Sequence, residues 1–258
     1  MPHVNIVELF EPELAKGINI LSLGRTELDF VELNKDEKRA IETVISMYAN
    51  HLAKVSPTLA KTVLNQKDAL IKFAGIAKAI FPEEKPITFP SQAGTIGVLP
   101  LFPQAIKYAA TPSSTTPCYT SYSDNSWDIT FTAGTAAYIL GSDTAYYKAS
   151  PQTGKHELIV IAQDGIVEVG TTPKIQQFRV ISEAESKYGI FVASPLQDVA
   201  VEPNKLVYQY HTPGIIPVYH DFGVKLKVLP GVSGTSSVRL LGLVFYEHDL
   251  FSDTTWVS

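Results

Sequence analysis

The sequence has little cysteine and little charge. Its single cysteine, Cys118, excludes an internal disulfide framework. Charged residues make up 18% of the 258 residues, which is below the roughly 25% that is usual in globular domains. Because a soluble chain with so few charges often covers part of its surface with a neighbouring molecule, this composition favours a protein that binds other chains.

Basic runs, long apolar runs and a signal peptide are also missing. The net charge is -5, and no cluster of Lys and Arg offsets it, which argues against direct nucleic-acid binding. No stretch approaches the ~20 apolar residues of a membrane-spanning helix. Residues 1–5 lack the basic start of a signal peptide. We therefore expect cytoplasmic synthesis and no membrane span.

Residues 1–33 mix short apolar runs with Glu, Pro and Gly, and neither helical nor strand periodicity holds for long. We interpret this segment as an extended N-terminal arm with one short strand. The arm either packs loosely on its own chain or reaches onto a neighbouring subunit. The sequence leaves both interpretations open.

A helical segment is predicted for residues 34–85. Asn34 and Glu37 have the spacing of a capping box, which predicts a helix start. Ser56-Pro57 ends this helix and begins another turn, with Ser as the cap and Pro at the first helical position. A further helix covers about Gln66 to Phe81. The two longer helices carry apolar stripes that we expect to pack on the protein's own core: Ile41, Val44, Ile45, Tyr48, Leu52 and Val55, and Leu70, Phe73, Ala74, Ala77, Ile80 and Phe81.

Residues 82–90 contain three prolines and are predicted to form a linker to a β-rich domain at 86–258. Residues 111–153 are poor in charge and contain 16 Ser and Thr, with aromatic residues between them. Uncharged polar loops with aromatic residues suit contact surfaces. The same composition also fits an ordinary β meander, so both interpretations stay open for residues 111–153.

The second half of the chain reads as a series of short strands, 188–193 among them, separated by turn signals. The dipeptide Asp164-Gly165 lies between two such runs and predicts a two-residue hairpin. Apolar residues alternate with lysines over 224–228, which indicates a strand with one wet face. The predicted fold class is α+β: a helical N-terminal segment followed by a predominantly antiparallel β-sandwich, for which a jelly roll is one topology.

Catalytic and cofactor motifs are not found. Cys118 lies in Thr-Pro-Cys-Tyr-Thr, with no local feature that would activate its thiol, so we predict a structural cysteine. Residues 231–234, Gly-Val-Ser-Gly, have neither the spacing of a nucleophile elbow nor the Lys of a phosphate-binding loop. We predict no enzyme activity, and no catalytic, cofactor-binding or metal-binding residues.

The nearest approach to a metal or acid–base cluster lies near the C-terminus. His220, Asp221, Glu247 and His248 have side chains that suit zinc or non-haem iron if neighbouring strands bring them together. In a strand that ends at Glu247, however, Glu247 and His248 face opposite sides. We interpret the four as solvated strand-end residues and leave their convergence open.

Three aromatic residues suggest another kind of site. Tyr119, Tyr122 and Trp127 would be the contact residues of a carbohydrate- or receptor-binding module, since aromatic rings offer apolar surface to sugars. Packing in a core or an interface explains them equally well.

An N-terminal arm, a few helices and a β fold follow one another along the chain, and in this organisation the chain resembles capsid proteins of phages and archaeal viruses. The resemblance implies a structural, self-assembling subunit of a capsid or other virion shell. Its partners would be copies of itself and other virion proteins, and it would lie in the virion after synthesis in the host cytoplasm. The alternatives are a carbohydrate- or receptor-binding β-sandwich, a metal-dependent β-sandwich enzyme and, for location, the cytoplasm.

Overall fold

The computed structural model describes residues 3–5, 27–29, 31–81, 84–105, 122–123, 126–140, 157–182, 196–202, 205–212, 215–218 and 222–247. These residues form three helices, α1 (Lys35–Val55), α2 (Pro57–Asn65) and α3 (Lys67–Ile80). They also form fourteen strands: β1 (His3–Asn5), β2 (Glu27–Asp29), β3 (Ile87–Thr88), β4 (Ile96–Pro100), β5 (Tyr122–Ser123), β6 (Ser126–Phe131), β7 (Ala136–Leu140), β8 (Glu157–Gly170), β9 (Ile175–Ser182), β10 (Leu196–Glu202), β11 (Lys205–Tyr210), β12 (Ile216–Val218), β13 (Phe222–Val228) and β14 (Gly234–Glu247). The protein is therefore an α+β protein, as predicted.

The helices begin where the sequence predicts. The Asn34 side chain accepts hydrogen bonds from the backbone of Asp36 and Glu37, and the Glu37 carboxylate accepts one from the Asn34 N–H at 2.9 Å. At the start of α2, the Ser56 hydroxyl accepts from the Leu59 N–H. Both predicted caps are confirmed.

The helices lie on one face of the large sheet. Their apolar stripes share one core with the strands, in which Ile45 of α1 and Phe73 of α3 are buried together with Val160 of β8 and Phe245 of β14. The helical segment thus covers the sheet and has no separate core. Residues 87–88, inside the predicted linker, form strand β3, which pairs in parallel with β4 at the edge of the large sheet.

A buried ion pair ties the helical layer to this edge. The Glu37 carboxylate accepts hydrogen bonds from the Lys78 Nζ at 2.8 Å, the Ile87 N–H at 3.0 Å and the Asn34 N–H. Burial acts to raise the pKa of Glu37. The Lys78 ammonium and the two backbone N–H groups outweigh this effect and hold the pKa below its ordinary value of 4.5.

This lowered pKa makes the folding free energy sensitive to acid. An acid with a lower pKa in the folded state stabilises the fold above its unfolded pKa, and this stabilisation is lost as the pH falls through the folded pKa. Below pH 4.5 we therefore expect Glu37→Gln to show a shallower loss of stability than the wild type. Urea unfolding at several pH values from neutral to about 3 measures this slope. Glu42→Gln, which changes a partly exposed carboxylate of α1, is the control. Equal slopes for the wild type and both variants would contradict the prediction.

Two 14-residue strands, β8 and β14, pair with each other at the centre of the large sheet. The far edge of β8 carries two short strands, β11 and β12, and the far edge of β14 carries β6 and β4. Each long strand therefore spans two short ones placed end to end.

The remaining strands form a small sheet of order β7-β13-β9, which packs on the face of the large sheet opposite the helices. The chain alternates between the sheets, from β6 to β7 to β8 to β9. The antiparallel pairs β6–β14, β7–β13 and β8–β11 are nested in sequence, since each pair lies between the two strands of the pair named before it. This is the connectivity of a jelly roll. The predicted antiparallel sandwich is confirmed, whereas the predicted strand at 188–193 lies outside the described residues.

The predicted hairpin at Asp164-Gly165 is wrong. β8 continues through the dipeptide and pairs with β14 on both sides of it. Ile161 pairs with Gly242 and Ile166 pairs with Leu240, so β8 advances by five residues where β14 advances by only two. The dipeptide therefore forms part of a bulge. Asp164 has a φ of 51°, and such a positive φ suits a bulge as well as a hairpin turn.

Side chains satisfy the backbone groups that the bulge removes from the ladder. The Gln66 amide, at the junction of α2 and α3, donates to the Gln163 carbonyl at 2.6 Å and accepts from the Gln163 N–H at 2.5 Å. The Asp164 carbonyl accepts from the Gln209 amide, and the Asp164 N–H donates to the Thr212 hydroxyl. Because buried backbone groups need partners, these side chains fix the position of the bulge under the helices.

Candidate binding face on the small sheet

Strand β13 has one buried and one solvent-facing side. Val224, Leu226 and Val228 are buried in the interior of the sandwich. Lys225 is half-buried and Lys227 is exposed on the outer side. The predicted alternation is confirmed, and it places both lysines on the outer face of the small sheet.

The pairing register adds a third cation to this face. Lys225 lies opposite Arg179 of β9 on one side and Tyr138 of β7 on the other. Its Nζ lies 5.5 Å from the centre of the Tyr138 ring, which is within the range of a cation–π interaction. We call Arg179, Lys225 and Lys227 the cationic face.

Like charges directly opposite each other in a sheet are destabilising. Arg179 and Lys225 nevertheless occupy such a pair, in a chain whose net charge is -5. Arg179 and Lys227 are exposed and form no ion pair with any residue that the structure describes. These two exposed cations leave the face positively charged, so the arrangement favours binding of a negatively charged group.

A groove of about 500 Å³ runs over the cationic face. The small residues Gly134, Thr135 and Ala136 line one side, and Gln176 and Gln177 line the other. No acidic residue lines it within the described parts of the chain. Guanidinium, ammonium and amide donors together suit carboxylate, sulfate or phosphate groups.

A second charged cluster is buried inside the sandwich. The Glu168 carboxylate is fully buried and accepts hydrogen bonds from the Ser236 hydroxyl at 2.7 Å and the Tyr210 hydroxyl at 2.8 Å. The backbone N–H groups of Lys174 and Ile175 also donate to it. Burial and the nearby Glu168 charge both raise the pKa of Tyr210. The carboxylate thus joins β8, β9, β11 and β14.

The Lys174 Nζ lies 2.8 Å from the Ser236 Oγ, an arrangement that serves as a nucleophile and base in Ser–Lys hydrolases. Here Ser236 is 4% exposed and Lys174 is 6% exposed. The Ser236 hydroxyl donates its proton to Glu168, and Lys174 also donates to the Thr172 carbonyl. A substrate has no access to the pair, so this cluster is structural.

Asp164 and His211 form a partly exposed pair beside the bulge, with Oδ1 and Nδ1 3.2 Å apart. Burial raises the pKa of Asp164, although the Thr212 N–H and His211 act in the opposite direction. Within the described residues, no three His, Cys, Asp or Glu side chains lie close enough together to hold a metal ion. The pair anchors the bulge to the segment between β11 and β12.

The structure describes only one member of the C-terminal cluster suggested by the sequence. Glu247 ends β14, and its Oε1 lies 3.2 Å from the Lys85 Nζ. His220, Asp221 and His248 lie outside the described residues, as do Cys118 and Tyr119. Whether the cluster converges therefore stays open.

Trp127 is fully buried between the two sheets. The suggestion that it contacts sugar is therefore wrong: its inward position on β6 makes it a core residue. Tyr122 belongs to β5, which pairs with β6. The segment 231–234 joins β13 to β14, and its Ser233 hydroxyl accepts a hydrogen bond from the Ala133 N–H. This is a turn contact.

Comparison of the chain with models of protein families, with curated proteins and with solved structures gives no match. No helix in the described part of the chain is long and apolar enough to cross a membrane.

Proposed function

We propose that this chain is a structural protein that assembles with copies of itself, as a subunit of a capsid or other virion shell. The observation that carries the proposal is the nested strand pairing β6–β14, β7–β13 and β8–β11. Jelly rolls of this kind occur in viral capsid proteins, and also in lectins and cupins. This support is an analogy at the level of the fold.

The packed interior of the sandwich is compatible with a shell subunit. Trp127, Phe131 and Phe178 fill it as buried side chains, and the buried Glu168 has its hydrogen bonds satisfied. The distinctive surface here is the groove over the cationic face, on the outside of the sandwich. A low charge fraction of 18% also suits a chain whose outer faces are covered by neighbours.

The mass of the purified protein in solution tests this proposal. Light scattering after size exclusion, over a range of concentration and salt, should give trimers, pentamers, hexamers or shell-sized particles. A monodisperse 28.2 kDa monomer at every concentration would contradict self-assembly. Glycan binding and metal binding by that monomer would then test the binding-module and enzyme alternatives.

A further inference from the structure

We infer that the cationic face is the docking site for the acidic N-terminal segment of a second copy of this chain. The inference rests on the proposed self-assembly and names one of its contacts. Residues 1–30 contain five acidic side chains and only two basic ones, Lys16 and Arg25. Three of the acids lie within six residues, in the segment Glu8-Leu9-Phe10-Glu11-Pro12-Glu13. We call residues 8–13 the acidic segment.

The spacing of the charges matches on the two sides. Lys225 and Lys227 are two residues apart on one face of β13, which separates them by about 6–7 Å along the strand. Glu11 and Glu13 are also two residues apart, and Pro12 disfavours a helical conformation at Glu11. In an extended chain, two such carboxylates reach two such ammonium groups, and the third carboxylate is available to Arg179.

The placement of β1 and β2 favours a second copy as the source of the segment. These strands flank residues 6–26 and pair with each other, and β2 contacts α3. Both ends of residues 6–26 are thus anchored on the helical side of the large sheet. The cationic face of the same copy lies beyond the other side of that sheet. A stretch of 21 residues, from 6 to 26, is long enough to reach out and back by about 30 Å at most, which is far enough to contact a neighbouring copy.

The test reverses the charge on the cationic face. Arg179→Glu/Lys227→Glu changes two exposed side chains, and Glu at 179 lies opposite Lys225, so the substitution removes a like-charge pair. We expect self-association, measured by light scattering, to weaken roughly tenfold or more, because like charges would then meet at the contact. The matched control is Lys61→Glu/Lys72→Glu, which makes the same charge change on exposed helical positions and should assemble like the wild type. Thermal unfolding verifies that both variants are folded.

A charge swap identifies the partner segment. Glu11→Lys/Glu13→Lys alone should weaken association by a similar factor, and combining it with Arg179→Glu/Lys227→Glu should restore most of it. Wild-type assembly that none of these variants alters would overturn this inference and leave the proposed function standing. A wild-type monomer would overturn both. Heparin serves as a sulfated glycan probe. If Arg179→Glu/Lys227→Glu lost heparin binding while its assembly stayed unchanged, the cationic face would be a glycan-binding site, and the inference would be overturned.

Discussion

Replacing Glu168 with Gln is expected to lower the free energy of unfolding by about 3–5 kcal/mol, the range found when one partner of a buried charge pair is removed. The Lys174 ammonium, 3.9 Å from the carboxylate, would stay buried without its counter-charge. The NH2 group of the new amide would also face other hydrogen-bond donors, such as the Tyr210 hydroxyl and the Lys174 N–H, with which it forms no hydrogen bond in this arrangement. Urea unfolding measures the loss.

Two further variants separate the causes of this loss. Glu42→Gln removes a carboxylate from an exposed ion pair with Lys67, and it should change stability by no more than about 0.5 kcal/mol. Lys174→Met in the Glu168→Gln background removes the uncompensated ammonium and should recover part of the loss. If Glu168→Gln and Glu42→Gln unfold at the same urea concentration, the structural role given to Glu168 is wrong.

Gly242→Ala should destabilise the fold by about 3 kcal/mol or more, as expected when a well-packed site has no room for an added group. A Cβ at Gly242 would overlap the carbonyl oxygen of Val160 on the paired strand β8. The Cβ is fixed rigidly to the backbone of β14 and the oxygen belongs to the backbone of β8, so the two strands would have to separate. The expected result is a lower midpoint in urea or thermal unfolding, or insoluble protein.

Gly170→Ala is the matched control, since Gly170 lies on the same pair of long strands. A Cβ there would meet the Ser236 Oγ at 3.4 Å, which is an ordinary contact. This variant should stay within about 0.5–1 kcal/mol of the wild type. Equal effects of the two substitutions would show that the close approach at Gly242 does not limit the packing of β8 on β14.

The features predicted correctly from the sequence depend on residues close together in the chain. The Asn34–Glu37 capping box and the Ser56-Pro57 helix start are completed within one helical turn. The alternation of Val224, Leu226 and Val228 with lysines likewise needs only the two-residue period of a strand. Such local patterns predict the structure without any knowledge of the rest of the chain.

The bulge depends on a partner strand that is distant in sequence. An Asp-Gly dipeptide supplies a positive φ for a hairpin turn or for a bulge, and the pairing with β14 decides between them. The bulge also reverses the alternation: Ile161 and Ile166 both face the sandwich interior although five positions separate them. Glu168 shares the face of Ile166, so a regular strand pattern would have placed its carboxylate on the helical side. The one local sign in the sequence that the alternation changes here is a single Glu inside the otherwise apolar run 166–169.

The cationic face also depends on pairing between distant segments. Lys225 and Lys227 are visible in the sequence as the wet side of a strand. Arg179 joins them only through the register of β9 on β13, and residues 134–136, at the start of β7, complete the groove. The predicted contact region 111–153 is described in part, and its residues 134–136 line this groove. An assembly role for that region stays a prediction.

The order in which the strands are synthesised has a consequence for the newborn chain. β14 is translated after every other strand that the structure describes, yet it lies at the centre of the large sheet and pairs with β4, β6 and β8. On the ribosome, the large sheet therefore lacks one of its two central strands until residues 234–247 emerge from the exit tunnel. Until then, the apolar faces of β8 and the helices lack their main partner, which makes the nascent polypeptide a natural client for chaperones. If the chain is the shell subunit proposed above, it becomes competent to assemble only after this strand has been translated.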